Sequence, residues 1–283
     1  MKIKFLGVLF LFTLSMNSVK AQINVDKTIG ALQNGVSSFT FSNDDAAALS
    51  KEAVKKMDSL NVVAGPKDGY TIRLNTVFGK HATENGLTLN YKVYLSKDVN
   101  AFATADGSIR VFSGLMDIMD DNQLLAVIGH EIGHVANQDS KDAIKSAYRK
   151  SALIGVVSSS SEKATKITDG QIGQIASAII DSKYSRKQES EADVFSYDFM
   201  KKNGYDVNAV ASAFATLAQL SGNAKADFFS KMLSSHPDPN NRAETAKNRA
   251  IADGLHKAYV QKPINNKAPV TVTKKPVTKK KKK

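Results

Sequence analysis

The sequence predicts an α+β fold that is predominantly helical, in which a small sheet is followed by a helical body with a metal site between helices. Apolar and polar residues alternate within the stretch from residue 70 to residue 112, which is the period of half-buried strands. From Gly114 onward, apolar residues recur at the spacing of amphipathic helices. In that helical part His130 and His134 lie four residues apart, which puts two potential metal ligands on one helix face.

The ends of the chain are predicted to lie outside the folded domain, which we place at residues 43–256. Residues 1–21 are typical of a secretory signal peptide, with lysines before an apolar run and a small-x-small cleavage site at the end. The alternative is an N-terminal membrane anchor, although the apolar run is short for a bilayer span. Residues 22–42 are predicted to form a loosely ordered arm, and residues 257–283 a disordered, lysine-rich tail. The signal peptide predicts export to the periplasm, with full secretion as the alternative.

The net charge of +12 belongs to the two ends of the chain rather than to the domain. Basic and acidic residues balance once the lysines of residues 1–21 and 262–283 are set aside. A neutral middle argues against a nucleic-acid-binding fold. The tail has two interpretations, which are peripheral contact with anionic envelope surfaces and no partner at all. The chain has no cysteine, so a metal site must use His, Asp and Glu. The oligomeric state is left open by the sequence.

The residues before the metal motif are predicted to form one helix and then strands. Residues 44–60 carry apolar side chains at helical spacing. Residues 70–74 and 87–94 alternate between apolar and polar, and we predict a strand for each. Residues 101–104 and 108–112 flank a glycine-containing turn, which predicts a short hairpin.

The second half of the chain is predicted to be helical throughout and to contain no internal repeat. Asp120 is a good N-cap for the histidine-bearing helix, with Gln123 at the position of a capping box. A second helix is predicted over residues 142–157 and ends at a run of four serines, and another begins at Asp169. A further helix over residues 186–202 ends at an Asn-Gly pair, and two or three more precede the tail.

The strongest candidate for chemistry is the string His-Glu-Ile-Gly-His that begins at His130. His130 and His134 lie away from the apolar stripe of their helix, so both imidazoles can point into a cleft and share one Zn²⁺. Glu131 lies about 100° around the helix, where it can reach a water molecule rather than act as a third ligand. Gly129 and Gly133 lower helix propensity, which indicates a close approach by another element. The alternative interpretation is two ordinary histidines on a helix.

A third ligand is predicted on the helix that begins near residue 186. Glu189 and Asp193 lie on one face, so Glu189 could bind the metal while Asp193 accepts a hydrogen bond from a ligand imidazole. Glu191 is the rival ligand, but it points to a different side of the helix. Each of these acids could also simply face solvent. Spacing alone favours Glu189 only weakly.

The motifs around this helix pair resemble a known family. Residues 100–103, 107–109 and 114–115 resemble its approach to the catalytic helix, and Glu189-x-x-x-Asp193 its third-ligand helix. Ser-His-Pro-Asp-Pro at residues 235–239, followed by Arg242, resembles its His-Pro loop. Together they resemble the HtpX-like and CaaX-prenyl-protease-like zinc metallopeptidases, a branch of the gluzincins, over about residues 70–250. The chain lacks the transmembrane helices of the membrane members and looks like a small, soluble, exported type.

The resemblance implies a zinc metalloendopeptidase with a zincin-type sheet and one Zn²⁺ per chain. It assigns the metal ligands as His130, His134 and Glu189, which favours Glu189 over Glu191 more firmly than spacing does. The role of Asp193 as the residue that orients a ligand remains an expectation from its spacing.

The same resemblance implies roles for three further residues. Glu131 would take a proton from the attacking water and pass it to the leaving amine. His236 and Arg242 would support the developing oxyanion or hold the substrate backbone. For His236 two alternatives stay open, a fourth zinc ligand in a latent state and a residue that, with Pro237, makes its loop rigid.

Two functions therefore compete at this point. The first is an endopeptidase for unfolded or misassembled extracytoplasmic proteins, whose polypeptide substrates pair with the edge of the strand at residues 100–104. The second is a zinc-stabilised chaperone-like or binding protein with weak or latent proteolysis. The presence of Glu131 favours the first, because holding zinc alone does not require it.

Overall fold

A computed structural model describes the chain over residues 42–84, 86–158, 168–221 and 226–266. The predicted signal peptide at residues 1–21 lies outside these described residues. The same is true of most of the predicted arm, of the last three serines of the run at residues 158–161, and of the chain from residue 267 onward. No helix in the described part of the chain is long and apolar enough to cross a membrane.

The described residues form short strands followed by a helical body, which confirms the predicted fold class. The strands are β1 (Thr83–Glu84), β2 (Leu87–Thr88), β3 (Asn90–Tyr94), β4 (Ala101–Ala103) and β5 (Ser108–Phe112). The helices that precede the metal motif or contain it are α1 (Asn43–Leu60), α2 (Gly69–Phe78), α3 (Ser113–Met116) and α4 (Asp121–Ala136). The later helices are α5 (Asp139–Ser158), α6 (Asp169–Ile180), α7 (Arg186–Lys202), α8 (Asn208–Ser221), α9 (Ala226–Ser235) and α10 (Pro239–Ala252).

The main sheet has three strands in the order β3-β5-β4. Strand β5 runs parallel to β3, with Tyr91 opposite Ile109, and antiparallel to β4, with Phe102 opposite Arg110. The predicted hairpin is therefore present, and its turn needs Gly107, whose φ is 81° and whose added Cβ would lie 2.2 Å from the Thr88 carbonyl oxygen. Strand β4 forms one edge of this sheet among the described residues.

The predicted strand at residues 70–74 is wrong, because these residues form the first half of α2. Asp68 caps this helix by accepting a hydrogen bond from the Tyr70 backbone N–H at 2.9 Å. Arg73 then reaches the Met116 and Met119 carbonyl oxygens, both at 2.6 Å. Five alternating residues are too few to separate the strand period from the helix period, and the capping aspartate was the overlooked local feature.

Capping boxes begin three of the helices in the body. Asp120 and Gln123 form the predicted box at the start of α4, with both hydrogen bonds at 3.0 Å. Equivalent boxes at Thr168 and Ser185 begin α6 and α7. Helix α7 ends as predicted, at the cap residue Asn203. The second helix of the body, α5, begins at Asp139, three residues before the predicted start.

Helix α4 lies in the centre of the molecule and is buried from Gln123 to His134. A Cβ at Gly133 would lie 3.0 Å from the Ala192 Cα, and one at Gly129 would lie 3.0 Å from the Phe199 ring. The two glycines therefore allow α7 to pack close against α4, as their position predicted.

The buried apolar residues form two clusters. The larger cluster joins the sheet to α4, α7 and α8. The smaller cluster lies on the other side of the sheet, where residues of α1, α5 and α6 pack against Tyr94, Phe102 and Phe112. The metal motif lies on α4 between the sheet and the other helices of the body.

The described residues extend beyond the predicted domain end at residue 256. Residues 253–266 follow α10 without helix or strand and run along the body. The Tyr259 hydroxyl and the Lys262 backbone N–H both donate to the Asp120 carboxylate at 2.7 Å, and the Asn266 amide donates to Asp117 at 2.7 Å. The first residues of the predicted tail at 257–283 are therefore held by side-chain hydrogen bonds, although their composition resembles that of a linker.

Candidate metal centre

The predicted ligands converge in the structure although they come from separate parts of the chain. Helix α4 supplies His130 and His134, and the first turn of α7 supplies Glu189. The loop between α9 and α10 brings His236 to the same place. One potential ligand atom from each of these four buried residues lies within 4.8 Å of the others. This is the group of described residues that can hold one metal ion.

The spacing of the ligand atoms fits a zinc ion. His130 Nε2 lies 3.0 Å from His134 Nε2. The Glu189 carboxylate oxygens lie 3.5 Å from the first of these nitrogens and 3.4 Å from the second. Ligands at zinc bond lengths of about 2.0–2.1 Å in a tetrahedron are separated by about 3.3 Å. Two imidazole nitrogens that face each other at this distance need a cation or a proton between them, so the donor set fits the predicted metal.

His236 belongs to the same cluster. Its Nδ1 lies 2.9 Å from Glu189 Oε1 and 3.2 Å from His130 Nε2. Its Nε2 lies 3.6 Å from Glu131 Oε1. His236 therefore stands between the third predicted ligand and the predicted general base, which is where a fourth ligand would lie.

Asp193 and Arg242 hold the outer side of the cluster. Asp193 Oδ1 lies 2.8 Å from His130 Nδ1, as expected for a carboxylate that orients an imidazole. Arg242 grips Asp193 with two nitrogens, at 2.9 and 2.6 Å, and its third lies 2.7 Å from Glu189 Oε2. The rival ligand Glu191 points away to solvent, where it lies 3.7 Å from Lys187.

Three residues that hold His134 were not predicted from the sequence. Asp139 Oδ2 lies 2.9 Å from His134 Nδ1, and Gln188 donates to the other Asp139 oxygen at 2.8 Å. The ring of Tyr184 stacks on the His134 ring with centroids 3.7 Å apart and an angle of 14°. Asp139 could have been found as the first acid after the motif helix, whereas nothing in the pattern singled out Tyr184 or Gln188.

Burial and neighbouring charges set the protonation of the cluster. Burial lowers the pKa of His130 well below its usual value, and the Arg242 charge lowers it further, which favours the neutral imidazole that binds metal. Burial would raise the pKa of Glu189, but hydrogen bonds from His134 and His236 outweigh it and keep the carboxylate charged. Burial also opposes charge on His134, yet Asp139 and Glu189 raise its pKa to about 9. A metal ion held between His134 Nε2 and Glu189 would take the place of a proton at that nitrogen.

Two carboxylate oxygens of the site, Glu131 Oε1 and Glu189 Oε2, are buried and make no hydrogen bond to the described residues. Glu189 Oε2 lies 2.7 Å from the Arg242 guanidinium, whereas the ion-pair contact of Glu131 Oε1 with His236 Nε2 is 3.6 Å long, so Glu131 is the less engaged of the two. Burial raises the pKa of Glu131, and the nearby histidines only partly offset this effect. An unpaired buried carboxylate oxygen is costly and therefore marks a place where a functional partner binds.

Two imidazoles one helical turn apart, a carboxylate from a second helix and a free glutamate beside them define the centre of a zinc metallopeptidase. A sequence profile described as Peptidase family M48 matches residues 71–250. The chain belongs to peptidase family M48. This confirms the predicted class, a zinc-dependent metalloendopeptidase.

Three relatives indicate how far the similarity extends. Metalloprotease YcaL of Escherichia coli (strain K12) is 40% identical over 233 residues, which cover 82% of this chain and 90% of the relative. Metalloprotease LoiP of the same strain is 37% identical over 236 residues, covering 82% and 92%. A beta-barrel assembly-enhancing protease of Yersinia pestis is 28% identical over 183 residues, covering 60% and 36%. The first two alignments include nearly the whole length of the relatives.

Proposed function

We propose that this chain is a zinc-dependent endopeptidase that cleaves unfolded or misassembled proteins outside the cytoplasm. The free, buried oxygen of Glu131 beside the ligand cluster is the observation that carries the proposal. The predicted signal peptide supports the compartment. The name of the Yersinia pestis relative refers to β-barrel assembly, which supports envelope proteins as the substrate class.

His130, His134 and Glu189 are the proposed metal ligands, with Asp193 as the residue that orients His130. The distances of 3.0, 3.4 and 3.5 Å between the ligand atoms support this assignment. When bound, zinc supplies Lewis-acid activation of the attacking water and of the scissile carbonyl. The Asp193 carboxylate keeps His130 Nε2 directed into the cluster by holding Nδ1.

Glu131 is the proposed general base. Its free oxygen can accept the proton of the attacking water, and the same group can pass that proton to the leaving amine. The raised pKa of Glu131, which follows from its burial, makes the carboxylate a better proton acceptor than an exposed glutamate.

His236 and Arg242 are the proposed residues that respond to substrate. Arg242 is engaged with Asp193 and Glu189, so it fixes the acids of the site. Only an N–H at the outer edge of its guanidinium group is left to donate to a substrate carbonyl. The contacts of His236 with Glu189 and Glu131 favour the latent interpretation, in which a polypeptide must displace this side chain.

Strand β4 is the proposed surface for the substrate backbone. The Ala101 N–H is held by the side chain of its own neighbour, Asn100, at 3.0 Å, so it does not depend on another strand. Edge pairing uses peptide groups rather than side chains, which suits the cleavage of many unfolded sequences.

Casein degradation tests this function. Zinc-loaded protein lacking residues 1–21 should cleave casein, and a chelator should abolish the cleavage. Glu131→Gln should lose about a hundredfold or more in rate while retaining one zinc per chain, because removing a general base costs about 10²–10⁴-fold. Equal cleavage by the wild type and by Glu131→Gln would contradict the proposal.

A chaperone-like function is the second candidate, and the burial of the whole ligand cluster favours it. The measurement is the aggregation of a denatured envelope protein in the presence of Glu131→Gln. Undiminished protection by this variant, together with no casein cleavage by the wild type, would replace the endopeptidase proposal.

Export and the limits of the domain are part of the same proposal. We infer that residues 1–21 are removed on export and that the folded domain runs from about residue 43 to residue 266. Mass spectrometry of the protein recovered from the periplasm would give a mature N-terminus at Gln22. Recovery of the full-length chain from the cytoplasm would contradict this.

A further inference from the structure

Tyr184 touches the metal centre but belongs to none of the predicted motifs. It lies in the connection between α6 and α7, and its ring is parallel to that of His134 at 3.7 Å. Its backbone N–H reaches the Ser235 carbonyl oxygen at 3.4 Å, and its ring lies 5.4 Å from that of His236. Tyr184 therefore packs against both histidine-bearing segments of the site.

The contact with Asp139 alone restrains the rotation of the His134 ring only weakly. Rotation about the Cβ–Cγ bond is opposed at Nδ1 by the bending of this one hydrogen bond. A flat ring stacked on one face opposes this rotation and keeps Nε2 directed at the cluster. We propose that Tyr184 is a positioning residue that fixes the plane of the His134 ring. The inference rests on the proposed ligand role of His134.

Two substitutions separate the ring of Tyr184 from its hydroxyl. Tyr184→Leu removes the stack and should weaken zinc binding at least about tenfold in a chelator competition, the usual effect of losing an orienting contact. Tyr184→Phe keeps the stack and should remain within about threefold of the wild type. Melting of the zinc-free proteins shows whether both variants are folded.

The two possible failures differ in this experiment. Tyr184→Leu binding zinc as tightly as the wild type, or Tyr184→Phe binding as weakly as Tyr184→Leu, would overturn the positioning role. If the variant His134→Ala bound zinc as tightly as the wild type, the proposed ligand set would be contradicted instead.

Discussion

Each proposed histidine ligand is held at its second nitrogen by a carboxylate, and each carboxylate is held in turn by another side chain. His130 is paired with Asp193, which Arg242 grips, and His134 is paired with Asp139, which Gln188 holds. Such outer contacts orient each imidazole ring before a metal ion binds. The precision of the site therefore depends on residues that do not touch the metal.

Asp139 gives the first prediction at this scale. Asp139→Ala should weaken zinc binding about 10–100-fold, because the Nδ1–H of His134 loses its acceptor. Chelator competition measures the affinity. Glu191→Ala is the matched control, since this acid lies on the solvent side of α7 and should leave the affinity unchanged. An equal loss in both variants would mean that Asp139 acts only through the general charge of the region.

Asp58 gives a second prediction, on the dependence of stability on pH. Burial would raise the pKa of Asp58, but hydrogen bonds from Arg110, Lys92 and Tyr94 outweigh it and lower the pKa to about 2. The folded pKa lies below the unfolded value of about 3.9, so the stabilisation is complete above that value and is lost as the pH falls towards about 2.

Asp58→Asn should therefore destabilise the protein by about 3 kcal/mol at pH 7, because Arg110 is buried and loses its partner. The difference between the two proteins in urea unfolding should shrink as the pH falls from about 4 to about 2. Lys92→Met removes a partly exposed partner of the same carboxylate and should cost less than about 1 kcal/mol. A constant difference across this pH range would show that the charge of Asp58 is not responsible.

At the scale of elements, the contact between α4 and α7 decides the geometry of the site, because one helix carries two proposed ligands and the other the third. Gly133→Ala should lower the stability of the zinc-loaded protein by about 1–3 kcal/mol, since the new methyl group meets the Ala192 backbone at 3.0 Å. Thermal unfolding measures this effect.

Gly173→Ala is the matched control for this substitution. Gly173 also lies inside a helix, α6, but an added Cβ there meets no atom within 4 Å. The control should therefore raise the stability by up to about 1 kcal/mol through helix propensity. A gain of stability at both positions would argue that helix propensity, and not the close packing of α4 on α7, controls the result.

At the scale of the whole molecule, the segment after α10 connects the end of the domain to the start of the metal-bearing helix. Tyr259 and Lys262 both bond to Asp120, the N-cap of α4. A chain that ends at residue 256 should melt about 5 °C or more below one that ends at residue 266, because these hydrogen bonds to a charged cap are lost. Differential scanning calorimetry measures the two midpoints.

Removal of residues 267–283 alone should have a different effect. The melting temperature and the turnover of a soluble peptide should stay unchanged, and binding to anionic lipid vesicles at low salt should weaken, because nearly all the lysines of the tail are lost. Unchanged vesicle binding would leave the tail without a partner of this kind.

Much of this architecture could be predicted because it depends on local patterns. The N-cap of α4, the hairpin around Gly107 and the pairing of Glu189 with Asp193 are each visible within about five residues of sequence. The strand predicted at residues 70–74 was wrong for a local reason, because five alternating residues fit both periods and the capping Asp68 was overlooked. The contacts of Tyr259 could not be predicted, because its partner Asp120 lies far away in the chain and does not change the local pattern.

The sequence by itself determined the class of this protein, because two histidines one helical turn apart, with a glutamate between them and an acid pair on a later helix, have few uses other than binding a catalytic metal. Only the tertiary structure decided how the centre is held. Asp139, Tyr184 and Gln188 reach the site through packing between separate segments, and no spacing in the chain encodes such contacts. The physical reason is that helical periodicity fixes which face a residue occupies, whereas the packing of helices against one another fixes what that face meets.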